Sequence, residues 1–268
     1  MLLLLFLILM FYGSTLSCAF ASEGTSDFWP GSPLFRPLLA DPREAHTALK
    51  RVLGRSQWEG ALGGPVEFVQ WGLGKSRMGW GITGAAFIWL DQHKNSFPMR
   101  DSDWWMGTYF SSRQGPLSQK FEYTHVSSHL GDALSDERRR VVYSREMFRL
   151  LAALGTRPGR RGYLGMGYWV KSIPGEKPWF FQSGIERFWC FRGRGTLAFD
   201  FYGAVDLKYK QEAGGIWNKT LQTGIRLRRP PSEGGGIRFG VTYQSGKSEF
   251  GQFYTENDTH WTFGVYFN

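Results

Sequence analysis

Cysteine is almost absent from this chain of 268 residues, which has only Cys18 and Cys190. If the N-terminus is cleaved after Ala21, Cys190 remains alone and no intramolecular disulfide can form. The sequence also lacks any long helical period after its first twenty residues. The glycine-rich stretches do not have the spacing of a phosphate-binding loop that leads into a helix. The fold therefore has to be held together by strand pairing and side-chain packing.

Aromatic residues and glycine are abundant. Aromatic residues make up 17% of the chain and there are 35 glycines, a composition that favours short strands and tight turns. The formal net charge is +9, which suits acidic partners. In an exported protein such partners are phosphorylated glycolipids or anionic lipids rather than nucleic acid. We therefore expect an all-β protein that contacts lipid.

The N-terminus has the pattern of a secretory signal. An apolar run from Leu2 to Tyr12 is followed by small residues that end in Ala19-Phe20-Ala21, an A-x-A cleavage pattern. The apolar run is too short to span a membrane as a helix. Cys18 would also suit a lipoprotein site, although Thr15 stands where such a site favours Leu. Residues 1–21 are accordingly predicted to be a signal peptide.

The rest of the chain is predicted to hold an N-terminal periplasmic segment at residues 22–64, with a helix over Asp41 to Leu53, and a barrel at residues 65–268. Turn signals separate eleven strand candidates. These are residues 66–73, 78–90, 104–111, 121–130, 141–154, 163–171, 179–191, 196–209, 217–227, 236–244 and 259–267. Because bacterial barrels have even strand numbers, a twelfth strand is expected at residues 249–254. The predicted fold is a single transmembrane antiparallel up-and-down β-barrel of about 12 strands.

The strands alternate strongly between apolar and polar residues. In residues 196–209, Phe199 and Phe201 fall on one face while Asp200 and Asp206 fall on the other. A secreted soluble β-sandwich or a lipocalin-like binder would show the same alternation. The export signal, strands of about ten residues and aromatic residues at strand ends favour a membrane barrel. The outer membrane is therefore the expected location.

Four segments carry a resemblance to a known family. They are LFRPLLADPREA (34–45), HVSSHLGDA (125–133), VVYSRE (141–146) and KPWFFQSGIE (177–186). Together they resemble a bacterial family of exported outer-membrane β-barrel proteins that is described only as a domain of unknown function. The resemblance implies an outer-membrane barrel in contact with membrane lipids and lipopolysaccharide. The aromatic closing strand also resembles those recognised by the barrel-assembly machinery.

The sequence YTHVSSHLGD, residues 123–132, is the main candidate for a reactive site. On a strand, His125 and His129 would stand ~13 Å apart and could not bind one metal ion. His125 and Ser127 share a face with ~6.6 Å between their Cα atoms, which allows an imidazole to take the serine proton. A symmetric hairpin would place Glu146 opposite His125, where it could orient the imidazole. The predicted catalytic set is His125, Ser127 and Glu146, with no metal and no cofactor.

This His-x-Ser pattern resembles a local pattern of two outer-membrane lipid hydrolases, outer-membrane phospholipase A and the lipid A deacylase. Ser128 stands where those families have an Asn after the serine. Three hypotheses follow from the sequence. The first is a barrel with a structural or small-solute role, the second is a lipid acyl-ester hydrolase, and the third is the soluble binder.

Overall fold

A computed structural model describes residues 26–132, 134, 141–155, 159–191, 197–229 and 235–267. The predicted signal peptide and Cys18 lie outside the described residues. Within them the chain forms thirteen strands. Their bounds are β1 (Asp27–Phe28), β2 (Thr47–Val52), β3 (Gln57–Leu73), β4 (Ser76–Asp91), β5 (Met99–Gln114), β6 (Leu117–Leu130), β7 (Tyr143–Gly155), β8 (Arg160–Ile173), β9 (Trp179–Cys190), β10 (Ala198–Lys210), β11 (Ile216–Arg228), β12 (Ile237–Lys247) and β13 (Asn257–Phe267).

Strands β2 to β13 close into one antiparallel barrel. Each strand pairs with its sequence neighbours, and β13 pairs with β2 to complete the ring. The short strand β1 pairs with β3 at Gln70 and Val69, beyond the part of β3 that β2 covers. Across the described ranges, helical geometry is confined to 3-10 turns at Glu212–Gly214 and Gly251–Phe253, and no helix there is long and apolar enough to cross a membrane. The predicted fold class, an up-and-down barrel of twelve strands, is confirmed.

All eleven strand candidates are present, but the twelfth strand lies elsewhere. It is β2 at Thr47–Val52 rather than a strand at residues 249–254, which form a bend and a 3-10 turn. The helix predicted over Asp41 to Leu53 is therefore wrong, because its later half pairs with β3 and β13. Residues 47–64, assigned from the sequence to the N-terminal segment, contribute β2 and the first part of β3. The barrel thus begins at Thr47, not at residue 65.

The apolar rows of the strands face outward. In β10, Phe199, Phe201 and Val205 are exposed by 38% to 45%, whereas Asp200 and Asp206 are at most 1% exposed. The same division holds on other strands, where charged side chains are enclosed and large apolar ones are exposed. A soluble sandwich or lipocalin would pack its apolar rows inward. The observed apolar surface around a charged interior favours the barrel over that alternative.

Two segments enter the interior of the barrel. One is residues 33–46 of the N-terminal segment, here called the plug, in which Phe35, Leu38 and Asp41 are at most 3% exposed. The other is the β12–β13 loop, residues 248–256, in which Phe250 and Phe253 are buried. Phe250 stacks on Trp89, with 5.1 Å between ring centroids. Both insertions fill the space that the charged inward side chains leave.

The two ends of the barrel differ in the length of their connections. Gly74–Lys75 and Gly115–Pro116 form two-residue turns at one end, which is also the end of β13. The opposite end carries the two longest connections, between β6 and β7 and between β12 and β13, although the β9–β10 and β11–β12 connections at the first end also exceed two residues. Gly74 and Gly115 both have positive φ values, 59° and 55°, a conformation that glycine adopts at no steric cost in tight turns. In bacterial barrels the short turns are periplasmic and the longer loops are extracellular.

Candidate functional site

Strand β6 presents His125 and Ser127 on the outer surface, a direction that the sequence alone left open. Val126 and Ser128, the intervening residues, are 1% and 5% exposed inside the barrel. The side chain of His125 is 46% exposed. Ser128 donates a hydrogen bond to Asp101 Oδ1 at 3.2 Å in the interior. The two consecutive serines therefore occupy opposite sides of the barrel wall.

The β6–β7 hairpin aligns His125 directly with Glu146, so the predicted register is confirmed. His125 Nδ1 lies 4.0 Å from Glu146 Oε1. Tyr123 donates a hydrogen bond from its hydroxyl to Glu146 Oε2 at 3.0 Å. Since the tyrosine fixes one carboxylate oxygen, the other stays directed toward the imidazole. Catalytic roles for His125, Ser127 and Glu146 remain predictions.

A β-bulge adds Lys171 to the group formed by Tyr123, His125 and Glu146, here called the outer cluster. The register between β7 and β8 shifts between Glu146 and Met147, so that Lys171 lies opposite Glu146. Lys171 Nζ is 3.7 Å from Glu146 Oε1. Sequence reasoning missed Lys171 because a bulge displaces one residue from simple alternation. The i, i+2 spacing of Tyr123 and His125 could have indicated that tyrosine as a third member.

Ser144 is a second outward hydroxyl close to the cluster. It is the direct cross-strand partner of Ser127, and it lies two residues from Glu146 on the same face. Hydrogen bonds among the described residues do not include one between His125 and Ser127. The structure thus brings His125 and Glu146 together and leaves Ser127 beside them without a direct bond.

Large apolar side chains border the cluster. Trp104, the other cross-strand partner of Ser127, is 51% exposed, and Met106, opposite His125, is 69% exposed. Phe148 packs against Tyr123 with 5.2 Å between ring centroids. A polar group surrounded by exposed apolar residues on a barrel exterior is costly in hydrocarbon unless it has partners. Glu146 has three such partners in Tyr123, His125 and Lys171.

The plug is bound to the barrel wall by a buried ionic network centred on Asp41. Lys208 Nζ lies 2.8 Å from Asp41 Oδ1, and Arg149 Nη1 lies 3.1 Å from Oδ2. Gln182 donates a further hydrogen bond to Oδ2 at 2.9 Å. The Arg43 N–H donates to Oδ1 at 2.9 Å, which also fixes the turn of the plug. The carboxylate is fully satisfied by three different parts of the wall and its own turn.

Neighbouring plug residues extend the network. Glu44 pairs with Lys120 at 2.8 Å and with Arg149 at 3.1 Å. Arg43 pairs with Asp103 at 3.0 Å, and its guanidinium lies 4.2 Å from the centroid of the Phe250 ring. The plug therefore joins the barrel wall to the inserted β12–β13 loop. Sequence reasoning did not foresee this, because its partners are as far away in the chain as Lys208.

Among the described residues, no group of three or more His, Cys, Asp or Glu side chains could hold a metal ion. The chemistry available at the outer cluster is that of an imidazole, hydroxyls, a carboxylate and an ammonium group. In the interior, the charged side chains described above are paired with one another.

The fold is a closed antiparallel β-barrel of twelve strands with an apolar outer surface. The chain belongs to the family described as "Protein of unknown function (DUF1207)", whose model matches residues 19–268. No curated protein matches the sequence. A solved structure, the β domain of the Bordetella autotransporter BrkA, matches 82% of this chain and 94% of that chain at 11% identity, with a TM-score of 0.48.

Proposed function

We propose that this protein is an integral barrel of the bacterial outer membrane, embedded in membrane lipids and lipopolysaccharide and assembled by the barrel-assembly machinery. The observation that carries the proposal is the orientation of the strand faces. Exposed Phe, Leu, Ile, Val and Trp side chains cover the outside, while Asp, Glu, Lys and Arg side chains are enclosed. Such a surface is stable only in contact with hydrocarbon.

The plug and the β12–β13 loop occupy the interior of the barrel. This supports a structural role in the envelope rather than the role of a permanently open pore. A cavity of about 250 Å³ lies beside Ser248 and Phe253 of the β12–β13 loop. Between the plug and that loop, the cavity lined by Arg43 and Phe250 measures only about 10 Å³. A cavity of that size holds about one water molecule. Passage of a small solute would accordingly require the plug to move.

Membrane fractionation and heat-modifiable migration test the location. We expect recovery in the outer-membrane fraction and a band that shifts on boiling, because a closed barrel remains folded in detergent until heated. Substituting Phe199 and Phe201 by Glu would put two charges on the outer face and should abolish recovery in this fraction. Full recovery of the unsubstituted protein in the soluble periplasm would refute the location.

A second candidate function is lipid acyl-ester hydrolysis at the outer cluster, and the contact between His125 and Glu146 is the observation that favours it. Ser127 Oγ would attack the ester carbonyl while His125 accepts its proton. The lipid alcohol would then leave with that proton, and water activated by His125 would release the fatty acid from Ser127. Glu146, held by Tyr123, would orient the imidazole. Trp104 and Met106 would contact the acyl chain.

Release of fatty acid from phospholipid or lipid A by the purified barrel tests this candidate. Activity should be lost in Ser127→Ala and retained in Ser144→Ala, its outward cross-strand neighbour, and in the inward Ser128→Ala. Glu146→Gln should lower kcat more than KM, because an orienting group acts mainly on the transition state. Equal release by the Ser127→Ala variant and the unsubstituted protein would eliminate the hydrolase.

A further inference from the structure

An apolar groove crosses the outer surface where β7, β8, β9 and β10 meet. Its volume is about 960 Å³, within the range of known ligand pockets, roughly 300–1,000 Å³. A second depression of about 440 Å³ shares Ala152, Leu164 and Ser183 with it and continues it along the wall. The two depressions together form one elongated apolar groove on the outer surface of the barrel.

The groove exists because small outward residues alternate with large ones on neighbouring strands. Leu164 pairs with Ala152 on one side and with Ser183 on the other. In the adjacent row, Gly162 pairs with Leu154 and Ile185. The large side chains stand above the small ones and form the walls. Leu154, Leu164 and Ile185 are each more than 60% exposed.

Two arginines lie at one end of the groove. Arg160, which lines it, is the direct cross-strand partner of Arg187, and both are exposed on the outer face. Like charges directly opposite each other on a sheet are destabilising. No described residue forms an ion pair with either arginine. An anion between the two guanidinium groups would remove the repulsion and could bind each of them by paired hydrogen bonds.

The arginines lie at the end of the barrel that carries the short turns. The hairpin that ends at Arg160 is on the same side as the two-residue turns at Gly74–Lys75 and Gly115–Pro116. This is the periplasmic end by the usual rule for bacterial barrels. Trp189, whose ring centroid lies 5.0 Å from the Arg187 guanidinium, suits the headgroup region of a membrane.

We propose that this groove binds one anionic glycerophospholipid of the periplasmic leaflet, with its phosphate between Arg160 and Arg187 and an acyl chain over Gly162 and Ser183. The proposal rests on the membrane location proposed above. The apolar length of the groove accounts for the acyl chain. The paired arginines account for the preference for an anionic headgroup.

Native mass spectrometry of the folded barrel in a nonionic detergent tests the site. Phosphatidylglycerol and phosphatidylcholine with identical acyl chains are titrated separately. We expect one phosphatidylglycerol to bind at least about tenfold more tightly than phosphatidylcholine, since each arginine near a lipid surface favours anionic lipid. The Arg160→Gln/Arg187→Gln variant should lose this preference. Arg77→Gln, which removes another exposed arginine from the same end, should retain it.

A variant that fills the groove separates the acyl-chain contact from the charge. A Cβ at Gly162 would have only Gly184 O nearby, at 3.9 Å, so Gly162→Leu can be accommodated without displacing the backbone. This substitution should weaken the binding of both lipids. Equal binding of the two lipids by the unsubstituted barrel, or a preference that survives loss of both arginines, would overturn the proposal. Tighter binding of lipopolysaccharide than of phosphatidylglycerol would also overturn it.

Fractionation decides the membrane location independently of this titration. A barrel that is recovered in the outer membrane but shows no preference for phosphatidylglycerol would refute the lipid site alone. A soluble protein would refute the membrane location on which the site depends.

Discussion

Replacing Asp41 by Asn should destabilise the barrel substantially. The substitution preserves the shape of the side chain but removes the charge that Lys208 and Arg149 share. All of these groups are buried, so water cannot replace the lost partner. Arg149 still has Glu44 and Glu122 as partners. For Lys208, in contrast, Asp41 is the closest carboxylate.

Removing one member of a buried ion pair typically costs about 3–5 kcal/mol, because the other charge remains buried without compensation. Since only Lys208 loses its principal partner, the expected loss is at the lower end, about 3 kcal/mol. Adding Lys208→Gln to Asp41→Asn should recover part of this loss. Recovery is expected because the double variant no longer encloses an unpaired ammonium group.

The assay is reversible unfolding by urea in detergent or lipid vesicles, followed by heat-modifiable migration. Asp132→Asn is the matched control, since Asp132 is exposed and surface substitutions usually change stability by about 0.5 kcal/mol or less. An Asp41→Asn variant as stable as the Asp132→Asn control would refute the role of this network in holding the plug. A double variant less stable than Asp41→Asn would refute the charge argument.

Two further predictions concern the loop and the wall. Burial raises the pKa of Glu249, but the nearby Lys210 and Lys208 outweigh it and lower this pKa to about 2. Its contribution to stability should therefore be complete above about pH 4.3, the ordinary value, and disappear as the pH falls toward 2. Unfolding measured between pH 6 and 2 should show a smaller loss of stability in Glu249→Gln than in the unsubstituted barrel, because only the other paired carboxylates still titrate in that variant. Gly184→Ala should lower the heat-modification midpoint, because its Cβ would overlap the Tyr163 ring and the Val205 carbonyl oxygen, an overpacking that costs about 1–3 kcal/mol. Gly162→Ala, whose Cβ would meet only Gly184 O at 3.9 Å, an ordinary contact, should leave the midpoint unchanged.

Strand alternation and turn signals were sufficient to predict most of the barrel. They located eleven of its strands, and hairpin symmetry gave the pairing of His125 with Glu146, but not whether these side chains face outward. Strand β2 escaped because it is short and continues from a charged stretch in which Ala45, Ala48, Leu49 and Val52 also recur at helical spacing. Only pairing with β3 and β13 makes this segment a strand.

The plug could not be predicted because local sequence contains no signal for it. The pattern of its charged residues is typical of a solvent-exposed segment. The partners of Asp41 lie 108 and 167 residues away along the chain. An enclosed carboxylate becomes favourable only after the wall has brought its cations together. For the same reason residues 249–254, rich in aromatic side chains, are interpreted as a strand until the interior that buries them is known.

The ionic network also limits how the barrel could transport a solute. Displacing the plug would separate Asp41 from Lys208 and Arg149, and Glu44 from Lys120 and Arg149. Each broken buried pair costs about 3 kcal/mol or more before water enters, whereas about 1.4 kcal/mol already changes a population tenfold. Thermal fluctuation alone would therefore open the barrel only rarely. Transport would require another molecule to bind the plug more strongly than the wall does, or to bind the charged side chains of the wall that the plug leaves behind.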